Sequence, residues 1–207
     1  MTSWLKQQRS YLVLLSLSVL VSIFMALWLK LNLKENYNMP FDKDLATTLK
    51  FEGGLTTDTG GLTNYGVRQD IYDSYTKANK LPSKSVKELK YGDVRDFYET
   101  EYYKKPGINL LPEEIQGVVF DSAVNLGQGT TIKQLQSIVG SKADGIMGKK
   151  TTGAVNEYIK KNGVEGLKFE LLNTRFKHYN SLVEQNPAKY GKYINGWEKR
   201  LESLAKE

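Results

Sequence analysis

A continuous apolar run near the N-terminus most limits what this chain can fold into. Residues 11–29 are 19 consecutive positions with no charged residue, proline or glycine. As an α-helix they would extend about 28 Å, close to the thickness of the hydrocarbon core of a bilayer. Trp4 and Trp28 lie where interfacial aromatic residues are expected. The run therefore predicts a single membrane-spanning helix within residues 1–34.

Two other interpretations of this run are a buried core helix and a cleavable signal peptide. The run is long for a core helix, and no Ala-x-Ala-like cleavage site follows it, so we favour an uncleaved signal anchor. Lys6, Arg9 and the α-amino group precede the run, and Lys30 and Lys34 follow it. This small difference in positive charge favours an N-inside orientation, with the rest of the chain exported.

If this chain is a hydrolase, its composition leaves carboxylates to carry the chemistry. The chain has no cysteine and a single histidine, His178. Disulfides, thiolate zinc sites and cysteine nucleophiles are excluded, and a zinc hydrolase or a Ser-His-Asp triad lacks its imidazoles. We therefore expect neither a metal nor a cofactor. Of the 29 basic residues, four lie in residues 1–34, so the exported part is nearly neutral and nucleic acid is not an expected partner.

Beyond the linker that ends at Pro40, the hydrophobic pattern predicts a mainly α-helical domain with one small β-hairpin. The hairpin falls where Gly-Gly-Leu-Thr occurs twice, at 53–56 and 60–63, in a segment rich in Thr, Asp and Gly. Apolar residues at helical spacing and the Pro and Gly breaks predict a first helix from residue 41 to 49 and further helices over 68–79, 84–89, 91–104, 112–126, 130–139, 149–161, 164–185 and 190–205.

Glu52 is the carboxylate with the most unusual predicted surroundings. It would lie at the carboxyl end of the first helix, after the apolar Phe51 and before two glycines. The helix dipole and burial both favour the protonated form of a carboxyl group at such a position. A general acid that works near neutral pH needs this protonated form, whereas a solvated glutamate at a helix end is the simpler interpretation.

The residues around Glu52 and further along the chain form an ordered series of short motifs. These motifs are Glu52-Gly53-Gly54, Asp58-x-Gly60-Gly61-x-Thr63-Asn64-x-Gly66-Val67, Tyr102-Tyr103, Phe120-Asp121-x-x-x-Asn125-x-Gly127, Leu135-Gln136, Asp144-Gly145-x-x-Gly148-x-x-Thr151 and Gly196-Trp197-x-x-Arg200. In this order they resemble glycoside hydrolase family 108, the bacterial and phage N-acetylmuramidases, over about residues 41–203.

The resemblance implies a lysozyme-like α+β fold and peptidoglycan glycan strands as the substrate. Residues 35–110 would be the catalytic part, and residues 111–207 a helical part that resembles a peptidoglycan-binding region and packs with it. Glu52 would be the general acid, Asp58 a base or electrostatic group, and Thr63 a residue that positions water. The loop between Glu52 and Asp58 is shorter than is usual in the family, so a turn-stabilising role for Asp58 stays open, as does a plain strand role for Thr63.

Four further residues are candidates for substrate binding: Tyr102, Tyr103, Asp121 and Asn125. Tyrosine rings stack on sugars but are equally common in the core of a small helical domain. Asp121 and Asn125 lie one helical turn apart and share a face, where they would either line a sugar cleft or cap buried backbone groups. The turn over residues 144–151 and the segment Gly196–Arg200 are open to structural roles in turn formation and helix packing.

An uncleaved anchor on a small muramidase resembles phage signal-arrest-release endolysins. The resemblance implies an enzyme held in the host inner membrane through residues 11–29, with a periplasmic catalytic domain that is either permanently tethered or released. Since no cysteine exists for a redox lock, we expect tethering itself to hold the enzyme inactive. The alternatives are a lytic transglycosylase that uses Glu52 alone, and a non-catalytic, membrane-tethered peptidoglycan-binding protein.

Overall fold

The computed structural model describes residues 39–52, 54–58 and 61–206. The predicted membrane-spanning run over residues 11–29 lies outside them and stays a prediction. Within the described ranges, no helix combines the length and the apolar character that crossing a bilayer requires. Residues 40–207 form one compact unit.

The first helix leads directly to Glu52. Helix α1 spans Met39–Leu49, and two further turn residues bring the chain to Glu52. Phe41 and Leu45, four residues apart on one helix face, are fully buried. The ring of Phe41 lies 4.7 Å from that of Tyr103 and 5.3 Å from that of Phe120. These contacts fix the helix, and with it the position of Glu52.

A three-stranded antiparallel sheet follows, in the order β1-β2-β3. Strands β1 (Thr56–Asp58) and β2 (Gly61–Asn64) form the predicted hairpin, with Thr56 opposite Thr63. The short strand β3 (Val67–Arg68) extends the sheet beyond the single hairpin that was predicted. It can pair with β2 because Tyr65 (φ 51°) and Gly66 (φ 74°) form a two-residue turn with positive φ at both central positions.

Helices make up most of the remaining chain. They are α2 (Gln69–Ala78), α3 (Tyr91–Tyr98), α4 (Glu113–Leu126), α5 (Gln128–Ile138), α6 (Lys149–Gln185), α7 (Pro187–Tyr190) and α8 (Ile194–Leu204). Short 3₁₀ turns lie at Val86–Glu88, Ile108–Leu110 and Gly191–Tyr193. The mainly helical fold with a small β element is thus confirmed.

Two details of the helices depart from a simple periodic pattern. The predicted helix over 91–104 continues beyond α3 as a π-helical segment, Glu99–Lys104. The predicted break between residues 161 and 164 is present inside α6, where Gly163 adopts φ 77° and ψ 164°. The first detail changes which tyrosines face the core, and the second bends the longest helix.

The core is centred on α4, whose apolar face is buried by the elements around it. Ile115, Val119, Phe120 and Ala123 of this helix are fully buried. Helices α1, α2, α3, α5 and α6 contribute most of the other buried apolar side chains of this cluster, and β3 and the short segments between helices contribute the rest. Because α4 also carries Asp121, this packing brings a carboxylate into the interior close to the end of α1.

Candidate active site

Glu52 has a charged partner from the far end of the chain. Its Oε1 atom accepts hydrogen bonds from both terminal nitrogens of Arg200, each at 3.0 Å. The Glu52 side chain is 20% exposed, whereas that of Arg200 is only 5% exposed. The guanidinium group also lies 5.3 Å above the ring of Phe51. The positive charge of Arg200 thus lies directly beside the Glu52 carboxyl group.

A second carboxylate, Asp121, holds Arg200 from the other side. Arg200 donates through Nε to Asp121 Oδ1 and Oδ2, at 2.8 and 3.1 Å. Arg175 of α6 donates to Asp121 Oδ1 at 2.7 Å, and Thr48 of α1 donates to Oδ2 at 3.0 Å. We call Glu52, Arg200, Asp121 and Arg175 the buried charge network. It contains two potential anions and two cations, so each buried charge has an opposite partner.

The network keeps Asp121 and Arg200 ionised. Burial raises the pKa of Asp121, but the charge of Arg175 and the hydrogen bond from Arg200 outweigh it and hold this pKa below its usual value. Burial lowers the pKa of Arg200, but Asp121 and Glu52 outweigh it, so this pKa is raised. Arg200 therefore presents a permanent positive charge to Glu52.

The turn between β2 and β3 lies against the other oxygen of Glu52. A β-carbon at Gly66 would lie 2.8 Å from Glu52 Oε2 and 2.8 Å from the Tyr98 hydroxyl. Glycine therefore leaves the space that this carboxylate oxygen needs. The Tyr98 hydroxyl donates to the Tyr65 carbonyl at 2.9 Å. Burial, and then the charge of Glu52, raises the pKa of Tyr98, so this hydroxyl stays protonated.

Asp58 and Thr63 lie on the paired strands β1 and β2. Asp58 is the last residue of β1, opposite Gly61, and its side chain lies outside the described part of the structure. Thr63 is half-buried in the central strand, opposite Thr56 and Arg68. Within the described part, the contact between the sheet and the Glu52 carboxylate is made by Gly66. The catalytic roles predicted for Asp58 and Thr63 stay predictions.

The two predicted tyrosines have different surroundings. Tyr103 is 2% exposed, and its hydroxyl donates to Gln116, so a sugar ring has no access to it in this structure. Tyr102 is half-buried and lines a cavity of about 450 Å³ together with Ile71 and Gln128. Burial raises the pKa of Tyr102, with smaller contributions from Glu101 and Glu52. Of the pair, Tyr102 alone lines a cavity, and its contact with a substrate stays a prediction.

Asp121 and Asn125 share a face of α4. Their described contacts are with side chains of other helices, not with an open cleft or with backbone groups. Asp121 is fully buried in the charge network. Asn125 accepts a hydrogen bond of 2.6 Å from the Tyr179 hydroxyl, which itself accepts one from Arg175 Nε at 2.6 Å. The two residues thus attach α6 to α4. Asp121 is closed off from a sugar in this structure, whereas the predicted substrate contact of the half-buried Asn125 stays a prediction.

The motif over residues 144–151 forms a turn held by Gln136. The buried Gln136 amide nitrogen donates to Asp144 Oδ1 at 2.9 Å and to the Thr151 hydroxyl at 3.0 Å. Its oxygen accepts from the backbone nitrogen of Gly145 at 2.8 Å. These contacts support the structural interpretation of this motif.

Sequence reasoning missed the site roles of Arg175 and Arg200. Arg200 was assigned to helix packing, and Arg175 carried no expectation. The sequence contains one signal for Arg200. This residue ends a motif, and Leu201 and Leu204, which follow it on the same helix, are apolar and buried. An arginine beside buried apolar residues needs a charged partner.

Comparisons with known proteins agree with this arrangement. Residues 45–127 match the family Glycosyl hydrolase 108, and residues 130–202 match the family Predicted Peptidoglycan domain. Among solved structures, "Structure of Brucella abortus SagA" is similar in fold, with a TM-score of 0.63 and 24% identity. That alignment covers 82% of this chain and 94% of that one. A search of curated proteins gives no match.

Residues 45–127 are thus similar to the Glycosyl hydrolase 108 family, and residues 130–202 to the predicted peptidoglycan domain. The chain is a glycoside hydrolase that acts on peptidoglycan, with lysozyme-like activity. Glu52 lies in the first matched region, and Arg175 and Arg200 lie in the second.

Proposed function

We propose that this protein is an N-acetylmuramidase of the phage endolysin type, with Glu52 as its general acid. It would hydrolyse the β-1,4 bond between N-acetylmuramic acid and N-acetylglucosamine. The proposal rests on the position of the Glu52 carboxyl group. Its Oε1 atom accepts hydrogen bonds from Arg200, and its Oε2 atom lies against the turn residue Gly66. It stands in the region that matches the Glycosyl hydrolase 108 family.

The reaction begins with a proton transfer. Glu52 donates its proton to the glycosidic oxygen, and the bond from that oxygen to the anomeric carbon breaks, leaving positive charge on the sugar. As the proton leaves, Glu52 becomes negative, and the neighbouring guanidinium stabilises this charge. A water molecule then adds to the anomeric carbon and loses a proton to a base, for which Asp58 is the candidate and Thr63 a water-positioning partner.

A lytic transglycosylase is the second candidate. Within the described part of the chain, the side chain that hydrogen-bonds to Glu52 is Arg200. The side chain of Asp58, the candidate base for hydrolysis, lies outside that part. A transglycosylase needs no activated water, because the sugar's own 6-hydroxyl attacks the anomeric carbon. The two reactions give different ends on the released fragments, reducing ends for hydrolysis and 1,6-anhydro ends for transglycosylation.

One digestion experiment tests the general acid and the reaction type together. Purified peptidoglycan is incubated with the wild-type chain, with Glu52→Gln and with the exposed control Glu88→Gln, and the fragments are analysed by mass spectrometry. We expect reducing ends, a loss of roughly 10²–10⁴-fold in kcat for Glu52→Gln, and wild-type activity for the control. Anhydro ends would favour the transglycosylase, and an active Glu52→Gln would refute the proposed role of Glu52.

The endolysin role includes control by the membrane. We propose that residues 11–29 hold the enzyme in the host inner membrane, with the N-terminus inside and the catalytic part in the periplasm, until the segment leaves the bilayer. Glu52 follows Leu29 by only 23 residues. Helix α1, which positions Glu52, begins at Met39. A tether joined so closely to this helix can keep Glu52 at the bilayer surface, away from the cell wall.

This control predicts different activities for tethered and untethered protein. The full chain inserted in lipid vesicles is compared with a chain that begins at Lys34, using the same soluble peptidoglycan fragments. We expect higher specific activity for the shorter chain. Equal specific activities would remove the proposed control while leaving the muramidase proposal intact.

A further inference from the structure

The catalytic carboxyl group and its partner belong to different matched regions. Glu52 lies within residues 45–127, and Arg200 lies within residues 130–202, 148 positions further along the chain. Among the described residues, Arg200 provides the side-chain hydrogen bonds that Glu52 accepts, and both go to Oε1. A residue of the region matched to the peptidoglycan domain thus contacts Glu52, the proposed general acid.

Arg200 is itself held by several independent contacts. Its Nε bonds to both oxygens of Asp121, and its terminal nitrogens bond to Glu52. Its guanidinium plane also packs on Phe51. Asp121 is fixed in turn by Arg175. Contacts on both sides fix the orientation of the guanidinium group. Its two hydrogen bonds then fix the orientation of the Glu52 carboxyl group.

We propose that Arg200 is a positioning residue for the general acid, so that the region matched to the peptidoglycan domain completes the catalytic site. This inference rests on the proposed function of Glu52. Because Oε1 accepts two hydrogen bonds from Arg200, the acidic proton resides on Oε2, the oxygen next to the exposed turn residue Gly66. Arg200 therefore selects the donating oxygen and stabilises the anion that remains after proton transfer.

Asp121 has a defined part in this arrangement. It occupies the Nε edge of Arg200, which leaves the two terminal nitrogens for Glu52. Its negative charge also offsets part of the positive charge that Glu52 experiences.

Kinetics of full-chain variants distinguish positioning from a purely structural ion pair. Arg200→Gln, Arg200→Lys and the exposed neighbour control Lys199→Gln are compared on soluble peptidoglycan fragments across a range of pH. For Arg200→Gln we expect kcat to fall roughly 10²-fold, with a much smaller change in KM. The basic limb of the kcat profile should move to higher pH, because loss of the positive charge favours the protonated acid. Lysine keeps the charge and should restore the position of this limb, with only part of the rate.

Each outcome decides the proposal. A wild-type pH profile in Arg200→Gln would overturn the proposal. A loss of rate that equals the loss of folded protein, as measured by circular dichroism in thermal melts, would also overturn it. If both Arg200 variants lose their cooperative melting transition, Arg200 is structural and the proposal fails. Glu52→Gln is measured alongside. Activity in that variant refutes the proposed function, whereas an inactive Glu52→Gln with an unaffected Arg200→Gln refutes this inference alone.

Discussion

At the scale of single residues, Gly66 meets two demands at once. Its φ of 74° is unfavourable for residues with a β-carbon, and the space that a β-carbon would fill is occupied by Glu52 Oε2 and the Tyr98 hydroxyl. The first demand concerns the stability of the turn, and the second concerns the position of the acid. A substitution at Gly66 therefore affects both the stability of the turn and the position of Glu52, the proposed general acid.

A matched pair of variants separates these effects. Gly140 has a φ of 71° with open space where a β-carbon would lie, so Gly140→Ala introduces the backbone strain without the clash. We expect Gly140→Ala to lose about 1–2 kcal/mol of unfolding free energy in urea titrations, and Gly66→Ala to lose more because the clash adds to the strain. Gly66→Ala alone should lower kcat, by about tenfold or more, because it displaces the carboxylate. Equal kcat values in the two variants would contradict the proposed packing of Oε2.

Sequence patterns found Glu52 but not its partner. Glu52 is recognisable locally, from its helix end, its glycines and the motif that contains it. The Arg200 contact depends on how α8 packs against the end of α1, and no local pattern encodes that contact. Asp121 and Asn125 were correctly placed on one helix face, but the arginine and tyrosine that face them come from α6, over 50 residues away.

At the scale of elements, the π-helical segment Glu99–Lys104 determines which tyrosine faces outward. In a regular α-helix, the residue four positions after the buried Tyr98 would lie above it on the same face. Here the i→i+5 geometry buries Tyr103 instead, five positions after Tyr98, and leaves Tyr102 at the cavity wall. Hydrophobic spacing predicted a helix over this segment, but it does not encode the single extra residue per turn.

The bend in α6 gives a prediction about this element. Gly163 interrupts the helix with a φ of 77°, whereas Gly153 lies in a regular, exposed part of the same helix with open space around it. We expect Gly163→Ala to reduce the free energy of unfolding by about 1–2 kcal/mol. Gly153→Ala should raise it, by up to about 1 kcal/mol. Denaturant titrations of both variants test this, and stabilisation by Gly163→Ala would show that the bend is not required.

At the scale of the whole molecule, the buried charge network makes stability depend on pH. The pKa of Asp121 is lower in the folded chain than the usual aspartate value of 3.8. Its ionised form therefore stabilises the fold fully above that usual value. As the pH falls, the unfolded chain binds a proton at Asp121 more readily than the folded chain does. This contribution is therefore lost as the pH falls through the lowered pKa of the folded state.

Removing the Asp121 charge should weaken the fold and its response to acid. We expect Asp121→Asn to lose about 3–5 kcal/mol of unfolding free energy at neutral pH, because two buried arginines lose their shared partner. Below pH of about 4, its stability should fall less steeply than that of the wild type. Urea titrations between about pH 2.5 and 7 measure both effects. Asp96→Asn, at a 66% exposed side chain, is the control and should change little. Parallel pH curves for wild type and Asp121→Asn would contradict this role.

The distance along the chain between Glu52 and Arg200 has a consequence for biosynthesis. A ribosome produces the acid early and its partner 148 residues later. The growing polypeptide therefore holds an incomplete site until the final helix has been translated and has docked. A nonsense mutation before residue 200 would yield a product that still carries the acid but lacks the guanidinium. Under the proposed role of Arg200, partial translation products would lack a complete site, and wall cleavage would begin only after synthesis of the chain is complete.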